Sequence, residues 1–144
     1  MWESPEVLTM KNRKYLSLVL MAAVVILELL PYGAVLNFAN PDGEPFRETF
    51  SYFSLTPFGY ASFGPFLTAV LSVVILLHIL VSVLFKTDKL WKGVKAETAI
   101  ASVFSLLPVV YGFENYTGIG FAITILLVIT FFTSSMKGTN NNEK

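Results

Sequence analysis

Apolar residues in this chain come in long runs rather than in alternation. Four runs approach the roughly 20 residues a helix needs to cross a hydrocarbon layer about 30 Å thick. The first extends from Tyr15 to about Leu36 and is interrupted by Glu28 and Pro31. The second, Phe66 to Phe85, has no acid and no fixed positive charge but contains His78. The third, about Val94 to Phe113, holds Glu97, Ser102, Ser105 and Pro108. The fourth, Tyr116 to Met136, is free of charge. The period-two pattern of a membrane β-barrel is absent. The pattern therefore predicts an all-α fold, a four-helix transmembrane bundle. Its spans fall at about 15–36, 66–85, 94–113 and 116–136, within a single integral membrane domain covering 1–144.

The first run also has the basic start and apolar centre of a secretory signal peptide. Small residues are missing three positions before its candidate cleavage sites: Tyr32 precedes Ala34 and Asn37 precedes Ala39. Retention as a span is the expectation. Met10-Lys11-Asn12-Arg13-Lys14 reads as a natural protein start, which would make the nine preceding residues a short tail or the product of a misplaced start codon.

The segment 37–64 between the first two spans is too apolar for a plain linker. Phe46, Phe50 and Phe53 recur at i, i+4 and i+7, with Arg47, Glu48 and Ser51 on the other side, which is helical spacing. Asp42 and Pro45 are helix-start residues, and Thr56-Pro57-Phe58-Gly59 reads as a turn. A short interfacial helix over 44–53 is predicted in this first outer loop. Phe46, Phe50 and Phe53 are the candidate interfacial or partner-binding residues, and an aromatic belt at the membrane surface is the plainer reading.

Composition agrees with the runs. The chain is 54% hydrophobic and only 14% charged, whereas a soluble domain carries about 25% charged residues. Formal net charge is zero, which gives no sign of nucleic-acid binding. There is no cysteine, so disulfides, thiol chemistry and cysteine-held metals are excluded. With one histidine, no metal site is expected, and no cofactor either.

Basic residues set the orientation, because they collect on the cytoplasmic side. Lys11, Arg13 and Lys14 precede the first span; Lys86, Lys89, Lys92 and Lys95 follow the second; Lys137 and Lys144 follow the fourth. Only Arg47 of the 10 basic residues falls on the other side when four spans alternate. The expectation is a plasma membrane protein, in the bacterial inner membrane, with both termini cytoplasmic. Expected partners are membrane lipids, with a possible protein partner at the outer loop 37–64.

Two ionisable residues lie inside the runs. Glu28 would sit about 20 Å from the inner boundary, where a carboxylate must be paired, hydrated or neutralised. Intramembrane acids commonly mark ion or proton pathways, but the break at Pro31-Tyr32-Gly33 also allows a structural role near the outer surface. His78 would lie about 12 Å from the inner boundary, suited to a hydrogen bond with a neighbouring helix or to proton transfer. No nucleophile–base arrangement, phosphate loop or metal-ligand cluster is present, so an enzyme is not expected. The leading expectation is a non-enzymatic accessory or binding protein; the alternative is a small proton-coupled transporter or channel subunit using Glu28.

The stretch PYGAVLNFANPDGEPFRETFSYFSLTPFGYASFGPF resembles a pattern found in small, uncharacterised four-span proteins of bacteria. The resemblance implies a four-span fold and no known activity. Small multidrug exporters also carry a Glu in their first span but have short loops. Claudin-like proteins have a longer first outer loop with paired cysteines, which this chain lacks.

Overall fold

The computed structural model describes residues 5–54 and 63–136. The turn expected at 56–59 and the basic residues of the C-terminal tail lie outside them. The chain is mostly helical. Helix α1 spans Pro5–Leu29, α2 Gly64–Leu84, α3 Trp91–Ser105, α4 Leu107–Val110 and α5 Gly118–Ser135. A single 3-10 turn, Phe113–Asn115, lies before α5. Helices α1, α2, α3 and α5 pack in a ring, each chiefly against its two neighbours: α1 on α2 and α5, α3 on α2 and α5.

Each long helix turns a stripe spaced by three and four residues toward the centre. On α1 the stripe is Lys14, Ser17, Met21, Val24 and Glu28; on α3 it is Trp91, Val94, Thr98, Ala101 and Ser105. This spacing holds one face in register with a neighbour along its length. The outward faces are apolar: Val19 and Ile26 on α1, Leu77 on α2, Val103 on α3 and Phe132 on α5 are exposed. The interior meanwhile holds Ser72, Thr98, Ser105, Thr124 and Thr130. A fold with hydroxyls inside and large aliphatics outside reverses the water-soluble arrangement.

Three helical segments are long and apolar enough to cross a membrane: α2, the Trp91–Val110 stretch that joins α3 to α4, and α5. Their bounds lie within a few residues of the predicted second, third and fourth spans. The junction between α3 and α4 falls at Leu106, just before Pro108, which cannot donate to the preceding turn. Helix α1 is longer than any of these, but its uninterrupted apolar run covers only Tyr15 to Leu27, between Lys14 and Glu28. It stops at Leu29 and does not reach Leu36 as predicted.

The segment after α1 corrects the sequence reading most. In place of a helix over 44–53 there is an antiparallel hairpin, β1 (Ala34–Phe38) and β2 (Phe46–Phe50), with Ala34 opposite Phe50 and Phe38 opposite Phe46. The Asn40-Pro41-Asp42-Gly43 turn competes with helix initiation. The Asn40 side chain accepts from Asp42 N–H at 3.3 Å, and Gly43 N–H donates to the Asn40 carbonyl at 3.4 Å. Phe46 stacks on Phe38, ring centroids 5.1 Å apart, and Val35 and Leu36 are buried. The apolar residues assigned to the end of span one are a strand packed on the bundle.

The two ends of the bundle are tied differently. At one end Lys14 Nζ donates to the Asp88 carboxylate at 2.6 Å and to the Thr87 carbonyl at 3.2 Å. Arg13 donates to the Met136 carbonyl just past α5. Residues expected only to set orientation are thus buried clamps. At the other end the hairpin meets the turn before α5: Ala34 bridges Tyr116, and Asn37 Nδ2 donates to Asn115 Oδ1 at 2.6 Å. The Thr117 hydroxyl donates to the Gly33 carbonyl and accepts from Gly120 N–H, each at 2.9 Å, so one side chain caps α5 and anchors the hairpin.

Candidate functional site

Glu28 ends the buried stripe of α1 and is fully buried. Its Oε1 accepts from the Ser72 hydroxyl of α2 at 2.8 Å. Its Oε2 has no hydrogen-bond partner among the described residues. The backbone carbonyl of Glu28, one of the orphan acceptors at a helix end, accepts from Tyr52 N–H at 2.9 Å.

Tyr52 lies just past β2 and forms the roof over this site; it is 1% exposed. Its ring occupies a slot kept open by two glycines. A Cβ on Gly33 would lie 2.9 Å from the ring, and a Cβ on Gly120 3.1 Å from the hydroxyl oxygen. Burial pushes the phenol pKa well above its ordinary value, and Tyr116 and Glu28 nearby push it further, so Tyr52 stays a neutral phenol. Beside it, Thr124 Oγ1 lies within hydrogen-bond reach of both Tyr116 Oη and Ser105 Oγ, the latter at 2.9 Å. The hairpin end of the interior is therefore polar and closed by an aromatic ring.

His78 lies further along α2 and does not meet Glu28. Its Nδ1 is 2.8 and 2.9 Å from the two carboxyl oxygens of Glu97 on α3. Between Ser72 and His78 on α2, Ile75 faces the interior and belongs with Met21, Ile79 and Leu127 to the apolar core. The two ionisable residues singled out in the sequence thus belong to separate pairs.

The candidate partner-binding phenylalanines also divide. Phe46 is exposed on the hairpin, Phe50 is half-buried at the base of β2, and half-buried Phe53 packs against the core below Tyr52. Sequence reasoning missed Tyr52 as a roof, Ser72 as the donor to Glu28, and Glu97 as the partner of His78. Glu97 carried a signal, being the acid that weakens the third run; Tyr52 carried none. Among the described residues no group of three or more His, Asp or Glu side chains is gathered to hold a metal ion. No protein-family model matches the chain, and comparisons with curated proteins and with solved structures return no match.

Proposed function

We propose that the chain is a four-span protein of the plasma membrane with both termini cytoplasmic, acting as a non-enzymatic accessory or binding protein through its outer hairpin. The observation that carries this reading is β2. Phe46, Arg47, Glu48 and Thr49 are all exposed, on both faces of the strand, and among the described residues β2 pairs along one edge only, with β1. An open strand edge offers backbone donors and acceptors to an extended segment of a partner. The anchoring of the hairpin through Thr117 and Asn115 supports a rigid platform rather than a floating loop. The lysine-rich α2–α3 turn and α1's basic start share the opposite end, which supports the proposed orientation. A photoreactive residue at position 48 in intact cells should give a discrete adduct with one protein or lipid species. The same residue at position 26, on the outward face of α1, should give bulk lipid adducts. Identical adducts at both positions would remove the support for a binding hairpin.

Buried Glu28 favours a second reading, a proton-coupled transporter or channel subunit. A carboxyl group with one unpartnered oxygen inside a bundle is the type of group that carries protons in membranes. In that case Glu28→Gln abolishes proton-linked flux in liposomes while the protein remains inserted. Absence of any proton-coupled movement by the unmodified protein would leave the accessory reading alone.

A further inference from the structure

We infer that the α2–α3 surface around His78 and Glu97 is the contact face of a homodimer, in which each His78 donates to the partner subunit's Glu97. The inference rests on the membrane-spanning reading. The two ring nitrogens of a histidine point in divergent directions. Nδ1 is taken by the chain's own Glu97, at 2.8 and 2.9 Å, so Nε2 points away from it. Nε2 has no hydrogen-bond partner among the described residues and is not among the buried unpartnered atoms, which places it at the bundle surface. The two side chains are 32% and 24% exposed there.

Depth makes this surface unusual. His78 lies six residues before the end of α2, roughly 9 Å in from that end at 1.5 Å per residue. In a bilayer that position faces hydrocarbon, where no water satisfies an open nitrogen or a carboxyl group. Polar groups at such depth are found facing protein. The residues that share the pair's side of each helix leave its approach open: Val74, four before His78, and Ile100, three after Glu97, are apolar and exposed.

The occupant follows from the chemistry of the face. It carries a donor and an acceptor of opposite charge preference side by side. A two-fold axis through such a face brings each donor to the other copy's acceptor, so both open groups are satisfied by one operation. Each imidazole then lies between two carboxyl groups, its own and its partner's, an arrangement that requires a proton on both ring nitrogens and so makes each His78–Glu97 pair net neutral. An unrelated helix would have to supply a matching pair at this same depth.

The absence of native cysteines allows a direct test on the full chain in liposomes. Ile100→Cys, on the same side of α3 as Glu97 and leaving the pair intact, should form a disulfide-linked dimer under mild oxidation. Val19→Cys, exposed on α1, should stay monomeric. Fluorescence transfer between labelled copies should show association, weakened by about tenfold in His78→Leu if two interhelical bonds are lost. Alkaline extraction of the vesicles is the accompanying control. An embedded protein that stays monomeric, or links equally well through Val19→Cys, overturns the dimer and leaves the membrane reading standing. Extraction from the membrane overturns both. Crosslinking in cells to a different protein, with no dimer in liposomes, also overturns the dimer.

Discussion

Glu28 and Glu97 both belong to helices of the ring, and each is hydrogen-bonded to α2, yet their surroundings are opposite. Glu28 is fully enclosed, bonded to a neutral hydroxyl, and roofed by Tyr52. Glu97 lies against an imidazole at the surface of the bundle, where a further group can approach. The difference teaches that an acid in an apolar span has two structural solutions. The fold can enclose the acid completely, with one neutral donor and a closely fitted ring over it. Or it can pair the acid with a base and leave the rest to whatever lies outside. The first acid is bound to the architecture of the hairpin end; the second is bound to one helix–helix contact.

Removing the roof should have the largest effect. Tyr52→Ala deletes a buried aromatic ring and is expected to cost about 3–5 kcal/mol, the range for large aromatic truncations. It should also open the chamber, so that Glu28 reacts with a carbodiimide that leaves the parent protein unlabelled. Denaturation in detergent and mapping of the labelled residue check both effects. Equal labelling before and after would mean that Glu28 is not sealed.

The next test removes one partner from each acid. Ser72→Ala leaves the Glu28 carboxyl without a hydrogen-bond donor in a closed site, which should destabilise the protein by about 1–3 kcal/mol. Glu97→Gln removes one side of the surface pair and should cost a single chain about 0.6 kcal/mol. Measured in the same detergent, where the chain is kept monomeric by dilution, the first loss should exceed the second. The reverse order would break the distinction between enclosed and surface acids.

A smaller effect belongs to the platform above the chamber. Phe46→Ser removes the stack on Phe38 and should cost about 0.5–1.5 kcal/mol of hairpin stability. Faster proteolysis within 39–45, with unchanged helix content, is the expected readout. Loss of helix content would mean that the hairpin and the bundle unfold together.

Much of this was legible in the sequence, for physical reasons. Long apolar runs bounded by lysines gave α2, the α3–α4 stretch and α5 to within a few residues, because backbone satisfaction leaves few options for such runs. The hairpin was not legible by periodicity. Residues four apart share a side in a strand as well as in a helix, so Phe46 and Phe50 could not distinguish the two. The discriminating sign was the turn Asn40-Pro41-Asp42-Gly43, flanked by the arms AVLNF and FRETF. It was overlooked because Ala34 to Leu36 had been counted in the first span. The pairing of His78 with Glu97 needed only adjacent antiparallel helices, whereas the distance of His78 from Glu28 depended on where α1 stopped. The place of Tyr52 depends on Gly33 and Gly120, which are far apart in sequence and meet only when the fold closes.

The clamp formed by Arg13 and Lys14 bears on how the protein is made. Both residues lie near the start of the chain, but Asp88 and Met136 emerge from the ribosome only after most of it has been synthesised. Until then α1 carries two cations whose final resting places do not exist. They must stay solvated, holding the near end of the first helix out of the interior like a bookmark. Lys14 can settle once the second helical turn-around is out, Arg13 only when the last helix is threaded. Completion of the ring is therefore timed by translation itself, and a nascent chain halted before Met136 should remain open at that end.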